Sequence, residues 1–201
     1  MSIIQSQSRT HWNYFLALEA DFLRLARFVE PAPDNYGTYS IELARLLISA
    51  SSEVDVVLKM ICGRIEGAGR AQSINKYREF VKPKFPFLEQ AVVTVPRYGL
   101  EFVPWDNWQS NTTPNWWNAH NSVKHRRDTE FSLGSMQHAI NAMGGLFLCL
   151  LVHYGFEDPS ARLMPVPSLF EVAEDVARVH QTLNGKTILH FDEVGWVHTY
   201  L

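Results

Sequence analysis

The sequence predicts a mainly α protein, an up-and-down helical bundle that carries a small inserted β-hairpin. Apolar residues recur at helical spacing in long stretches separated by prolines and glycines, a pattern typical of helices packed on one another. Residues 92–103 instead have the character of two short strands around a Pro-Arg-Tyr-Gly turn. Strands so few and so local cannot build a parallel sheet, so a helical bundle is favoured.

The first part of the chain predicts three helices. Residues 12–30 form the first, and Glu19 lies mostly off its apolar stripe. That stripe consists of Phe15, Leu18, Phe22, Leu25 and Val29. The apolar positions of the second helix, residues 40–64, wrap so widely that we expect it to be the most buried element. A short third helix covers residues 73–81 and is ended by the prolines that follow.

A long apolar helix is predicted after the hairpin. It should begin at Ser132, run to Tyr154 and end at Gly155. Gly144 and Gly145 each cost this helix roughly 1 kcal/mol relative to alanine, and close approach of another helix would compensate for them. We therefore expect a tight helix–helix contact at the glycine pair.

The end of the chain is less regular. Residues 169–183 predict a modest amphipathic helix, and an Asn-Gly turn follows it. Residues 186–191 and 196–201 form either a final strand pair or an extended tail, and the sequence leaves both open. We predict one domain over residues 1–201, with the hairpin insertion at about 90–112 and a C-terminal extension at about 159–201.

Composition bounds the classes of protein that fit. A chain that is 46% hydrophobic and 19% charged can bury a core, which argues against general disorder. The net charge of −3 excludes a uniformly basic protein but leaves room for a local basic patch, and residues 124–127 form one. Cys62 and Cys149 lie in separate apolar stretches and predict buried free thiols.

The sequence predicts neither secretion nor a membrane. The N-terminus has no cationic start followed by an apolar block, as a signal peptide would. The most apolar run, residues 143–152, is too short to span a bilayer. We expect a soluble, cytoplasmic protein.

Residues 112–128 stand out as the candidate functional stretch. Thr113 followed by Pro114 is a helix-start signal, because a hydroxyl caps free amides and proline suits the first helical position. From that start Trp117, Asn121 and His125 fall four residues apart and share one helix face. An amphipathic helix does not need so many amide, imidazole and cationic groups beside tryptophans, so we look for function here.

The stretch Asn121-Ser122-Val123-Lys124-His125-Arg126, followed by a long apolar helix, resembles the HEPN superfamily. These all-α proteins, often toxins or antiviral effectors, carry an arginine, a polar residue and then a histidine. The resemblance implies that the polar residue is Asn121 and the histidine His125, while His120 stands in place of the arginine. Family ribonucleases use the arginine on the scissile phosphate and the histidine in proton transfer, and they need no metal or cofactor. Here the cation would come from Lys124, Arg126, Arg127 or protonated His120.

Two acids interrupt the second helix. Glu53 and Asp55 lie in an otherwise apolar segment, SSEVDVVLKMIC, which resembles the HEPN helix that sets an acidic or hydroxyl residue opposite the motif. Buried carboxylates are costly unless they are paired, so at least one of the two is expected to meet a cation or line a cleft. A salt bridge to Lys124 or Arg126 is the favoured structural role, and Glu53 is the better cleft candidate.

Four tryptophans flank the candidate helix, and two roles are open to them. Exposed rings would stack nucleobases, whereas buried rings would pin the hairpin insertion to the helices, which is the favoured role. They are Trp105, Trp108, Trp116 and Trp117. Histidine and cysteine spacing gives little support for a metal site, and there is no glycine-rich phosphate loop.

Two functional hypotheses follow from these residues. The first is a HEPN-like RNA-binding homodimer, acting as a metal-independent endoribonuclease of a toxin–antitoxin or phage-defence type. His125 and Asn121 would be its catalytic residues. The second is a catalytically inactive adaptor or regulatory module that binds a protein partner, suggested by the missing motif arginine. A small-molecule pocket lined by tryptophans is a third option with no motif behind it.

Overall fold

The computed structural model describes residues 9–157 and 163–173 together with the pairs 190–191 and 197–198. It confirms a mainly α protein with a small antiparallel sheet. The helices of the described chain are α1 (Thr10–Leu25), α2 (Ile41–Cys62), α3 (Ile74–Lys84), α4 (Asn115–His125), α5 (Arg127–Glu130) and α6 (Met136–Glu157). The strands are β1 (Val93–Val95), β2 (Leu100–Phe102), β3 (Glu171–Val172), β4 (His190–Phe191) and β5 (Val197–His198).

Helix α6 is the centre of the molecule. Residues 142–154 are all buried, so this helix is surrounded by protein on every side. Helix α2 packs along it, and α1 and α4 each contact both of these helices. The prediction that α2 would be the most buried element is wrong, because α2 keeps an exposed side that includes Ile41 and Val56.

Helix α6 also bears on the membrane prediction. By length and composition alone, the segment Met136–Gly155 could cross a bilayer. Within the structure, however, 83% of the apolar window is buried. Cys62 and Cys149 are buried free thiols, as predicted, and burial raises the pKa of Cys62 to about 11.

The start of α6 differs from the prediction. The helix begins at Met136, four residues after the predicted Ser132, because the preceding residues pair with the loop before α2. Ser135 forms an isolated antiparallel bridge with Tyr39, and the Met136 amide donates to the Thr38 carbonyl at 2.8 Å. A long-range backbone contact therefore sets this boundary.

The hairpin lies where the sequence predicts it. Strands β1 and β2 pair antiparallel, with Val95 opposite Leu100. Gly99 closes the connection with a φ of 62°, a left-handed conformation that favours glycine. Strand β3 adds to the other edge of β1, which gives the order β2-β1-β3.

The glycine pair of α6 is explained by the hairpin and α4 together. A Cβ on Gly144 would lie 2.6 Å from Cε2 of Phe102, and one on Gly145 would lie 3.0 Å from Cζ2 of Trp116. In addition, the Trp105 indole donates to the Gly145 carbonyl at 3.3 Å. The predicted close approach is confirmed, but its partners are a strand residue and tryptophan rings.

A buried carboxylate fixes the C-terminal segment to α1. The carboxylate of Glu19, which is 3% exposed, accepts hydrogen bonds from the amides of Ser168, Leu169 and Phe170 at 2.8–3.2 Å. The Ser168 hydroxyl adds a fourth bond at 3.1 Å. Glu19 therefore points into the protein, contrary to its predicted place off the apolar stripe.

The predicted helix over residues 169–183 is wrong at its start, because Glu171–Val172 is strand β3. Residues 174–183 lie outside the described chain. Strands β4 and β5 pair antiparallel, so of the two arrangements left open for the end of the chain, the described residues form the strand pair.

Candidate functional site

Helix α4 is held at its N-terminus by a neighbouring loop. The Asn115 amide donates to Oδ1 of Asn107 at 3.0 Å, which caps the first turn. The Thr113 hydroxyl donates instead to Oδ1 of Asn75 at 3.3 Å, and Pro114 precedes the helix. The prediction that Thr113 caps this helix is therefore wrong, although the helix begins within two residues of the expected place.

One side of α4 belongs to the core. Trp116, Ala119, His120 and Val123 are buried, and they follow the spacing of a single helix face. Trp117, on the edge of that face, is 8% exposed. Its ring therefore belongs mostly to the core, although Trp117 is four residues from Asn121.

The other side of α4 carries the predicted catalytic pair. Asn121 and His125 are exposed, lie one turn apart and have no hydrogen-bond partner among the described residues. Because His125 is the last residue of the helix, it lies where the helix dipole favours a positive charge. An imidazole and an amide in this position are free to contact a ligand.

Cations extend the same end of the helix. Lys124, Arg126 and Arg127 are exposed, and neither Lys124 nor Arg127 forms an ion pair with any described residue. Arg126 donates to the Ser122 hydroxyl at 3.0 Å and lies 3.7 Å from the Glu130 carboxylate. An exposed pair of this length contributes little stability, so the guanidinium remains available to an anion.

His120 is not part of this surface. It is only 5% exposed, and neither ring nitrogen has a hydrogen-bond partner in the described chain. Burial lowers its pKa to about 4, and the positive charges of Lys124 and His125 act in the same direction. The ring is therefore neutral at pH 7, so the suggestion that protonated His120 holds a phosphate is wrong.

Asp55 on helix α2 acts on His120 only through its charge. Burial lowers the pKa of His120, and the negative charge of Asp55 opposes that effect. The carboxylate accepts a hydrogen bond from the Tyr77 hydroxyl at 2.7 Å and forms an ion pair with Lys59. The Asp55 carboxylate is therefore engaged by protein groups, one of them a cation.

Glu53 lies elsewhere. Its carboxylate accepts a hydrogen bond from Nδ1 of His11 at 2.5 Å, and the side chains of His11 and Glu53 are 23% and 16% exposed. The predicted salt bridges of the two acids to Lys124 or Arg126 are absent from the described chain. Glu53 and Asp55 therefore do not form a joint acidic site, and sequence spacing gave no sign of His11 as a partner.

The tryptophans are structural. Trp105, Trp108 and Trp116 are at most 2% exposed and pack on one another, with ring centroids 4.4 Å and 5.1 Å apart. The Trp116 indole donates to the Pro104 carbonyl at 2.7 Å. They pin the hairpin segment to α4 and α6, as predicted, and none of the three rings is exposed on the outer surface.

A groove of about 330 Å³ opens beside the basic end of α4. Polar side chains of α4 and α6 line its two walls, namely Asn115, Asn118, Ser122, Gln137, His138 and Asn141. No sequence motif marked this groove, because its walls come from segments that are distant in the chain. Among the described residues there is no group of three histidine, cysteine or acidic side chains placed to hold a metal ion.

No family model, curated protein or solved structure matches the chain.

Proposed function

We propose that the protein is a cytoplasmic, HEPN-like RNA-binding homodimer that contacts RNA through the C-terminal end of α4. The observation that carries the proposal is the exposure of Asn121 and His125 together with the cationic residues 124–127, largely free of protein partners. Phosphate contacts by lysine and arginine supply most of the affinity in RNA binding that is independent of sequence. A compact basic helix end fits that role on a chain whose net charge is −3.

Cleavage at this surface would use the RNA as its own nucleophile. His125 would accept the proton of a 2′-hydroxyl, whose oxygen then forms a bond to the adjacent phosphorus. The bond from phosphorus to the 5′-oxygen breaks, and that oxygen leaves with a proton from a second acid. In a homodimer, His125 of the second subunit would be that acid, and Arg126 would hold the phosphate. The products are a 2′,3′-cyclic phosphate and a free 5′-hydroxyl.

The position of His120 supports a second candidate, a HEPN-like module that binds without cleaving. The place of the family's arginine is taken by a buried, neutral imidazole that cannot reach a phosphate. Such a chain would act as an adaptor or regulatory subunit that binds a protein partner, whether or not it also binds RNA.

Incubation of purified protein with total RNA in chelator separates these candidates. We expect 2′,3′-cyclic phosphate ends, and loss of cleavage in His125→Ala by about 10²- to 10⁴-fold, the usual contribution of general acid–base catalysis. Because His125 is exposed, the substitution should leave the thermal unfolding midpoint unchanged. Unchanged cleavage in His125→Ala would show that another group is responsible.

RNA binding is tested separately from cleavage. The variant with Lys124, Arg126 and Arg127 all changed to alanine should weaken binding and flatten its salt dependence by about 0.7 per lost phosphate contact. The variant with Arg27, Arg70 and Lys84 all changed to alanine removes three exposed cations elsewhere and is the control for the change in net charge. RNA binding without cleavage supports the adaptor, and equal effects of both variants would remove α4 from the proposal.

A further inference from the structure

The groove beside α4 has the dimensions and the lining of a ligand site. Its volume of about 330 Å³ lies at the lower end of the range for small-molecule pockets. One wall is α4, the other is the start of α6, and the segment 104–107 closes one end. Pro104, Trp116, Ala119 and Leu133 supply the apolar part of the lining.

The polar lining is almost entirely neutral. Carboxamides dominate it, and Asp106 is its single acidic residue, while no lysine or arginine lines it. A phosphate or carboxylate would meet no cation inside this groove. Since each carboxamide offers both a donor and an acceptor, the lining suits a neutral ligand with donors and acceptors side by side.

The two walls each present a carboxamide that is free to bind. Asn118 and Gln137, from opposite walls, are exposed, and their side chains have no hydrogen-bond partner among the described residues. Asn141 is only partly available, since its side-chain amide donates a hydrogen bond to the main-chain carbonyl of Gln137 at 2.9 Å. A planar ligand between α4 and α6 would meet one free carboxamide on each side.

His138 adds a fixed acceptor. Its Nδ1 lies 2.9 Å from the Leu133 carbonyl oxygen and 3.1 Å from the Ser135 hydroxyl, and because a carbonyl only accepts, we assign the proton to Nδ1. Nε2 then presents a lone pair and has no partner in the described chain. Burial lowers the pKa of His138, although the hydrogen bond to Leu133 opposes this, so the ring stays neutral near pH 7.

The basic end of α4 adjoins the groove. Ser122 lines the groove, and its hydroxyl accepts a hydrogen bond from the Arg126 guanidinium at 3.0 Å. A ligand whose neutral part fills the groove would therefore place an attached anionic group near Arg126. Nucleotides fit this description. Their bases are flat, neutral rings with donors and acceptors side by side, and the sugar joins each base to a phosphate.

We propose that the groove between α4 and α6 binds a nucleobase, with Asn118 and Gln137 at hydrogen-bonding edges on its two sides and Arg126 near its phosphate. Carboxamides pair with base edges through two hydrogen bonds, as asparagine and glutamine do with adenine. The base comes either from a free nucleotide or from an unpaired position of RNA. Binding of an unpaired RNA base rests on the proposed function. It would let the α4 surface distinguish single-stranded RNA from paired RNA.

Titration of the protein with each of the four common nucleosides tests the site, with binding measured by calorimetry and by NMR. We expect at least one nucleoside to bind, and Asn118→Ala and Gln137→Ala each to weaken it about tenfold. Asn13→Ala, an exposed asparagine on α1, should have no effect. The ¹⁵N shift of His138 Nε2 should move on binding, because its lone pair accepts a hydrogen bond. Failure of every nucleoside to bind, or equal binding by wild type and both groove variants, would overturn the proposal.

An unstructured RNA oligomer, tested with the same variants, distinguishes the two sources. Weaker binding of the oligomer and of nucleosides in Asn118→Ala would support an unpaired RNA base in the groove. Weaker nucleoside binding with no RNA binding by wild type would support a free nucleotide site and refute the RNA-binding function. RNA binding that is lost with the α4 cations but unaffected by either groove variant would support the proposed function and refute the RNA base in the groove.

Discussion

The pH dependence of stability should depend strongly on His120. Its pKa is about 4 in the folded protein and 6.5 in an unfolded chain, so only the unfolded state binds a proton between these values. Above pH 6.5 the ring is neutral in both states and has no effect on stability. As the pH falls from 6.5 to 4, the free energy of unfolding drops, and below pH 4 the loss is complete.

The magnitude follows from the size of that interval. At 1.36 kcal/mol per pH unit, lowering the pKa from 6.5 to about 4 corresponds to about 3 kcal/mol. For a chain of this size, 1 kcal/mol shifts the unfolding midpoint by about 2–4 °C, so His120 alone accounts for about 6–12 °C between pH 7 and pH 4. Carboxylates also titrate in this range, so the measurement must be a difference between variants.

His120→Leu isolates the effect. Both ring nitrogens of His120 are buried without partners in the described chain, so leucine should be tolerated at pH 7. Urea unfolding followed by circular dichroism, from pH 7 to pH 4, should give a shallower loss of stability for the variant, by about 3 kcal/mol over the range. Asn121→Ala, which changes an exposed neutral residue of the same helix, should follow the wild type. A difference between wild type and His120→Leu that is constant with pH would refute the reasoning.

Three further predictions concern the core. Glu19→Ala should lower the free energy of unfolding by about 3 kcal/mol in urea titrations, because it leaves buried amides of the C-terminal segment unpaired. Gly144→Ala should cost about 1–3 kcal/mol, since its Cβ would overlap Phe102, whereas Gly69→Ala meets nothing within 4 Å and should be neutral or slightly stabilising by the same assay. His120→Arg should lower the free energy of unfolding by about 3 kcal/mol or more, because it buries an unpaired charge; an unchanged midpoint in a thermal shift assay would contradict this.

Local patterns in the sequence predicted the elements well. The apolar stripe of α1 and the two β-prone runs around Gly99 are signals carried by adjacent residues, and both elements form within a few residues of their expected positions. The element boundaries that were predicted wrongly are set by contacts with residues distant in the sequence. Helix α6 starts where Ser135 pairs with Tyr39, and β3 exists because β1 offers it an edge.

Two burial errors had a signal that was present in the sequence. His120 follows Trp116 by four residues and precedes Val123 by three, which places it on the buried stripe of α4. Glu19 stands in the same relation to Phe15 and Phe22 on α1. In both cases the polarity of the side chain argued for exposure, while the helical period argued for burial. The helical period indicated the correct burial in both cases, because helix packing determines which face of a helix is covered.

The three faces of α4 make its roles separable. His120 belongs to the core face, Asn121 and His125 to the exposed face, and Asn118 with Ser122 to the groove. Substitutions on different faces that share no partner should have nearly additive effects. His120→Leu should therefore change the pH dependence of stability without changing RNA binding, while His125→Ala should change cleavage without changing stability. Strong coupling between them would mean that the exposed face depends on how the core holds α4, and the proposed division of this helix would then be wrong.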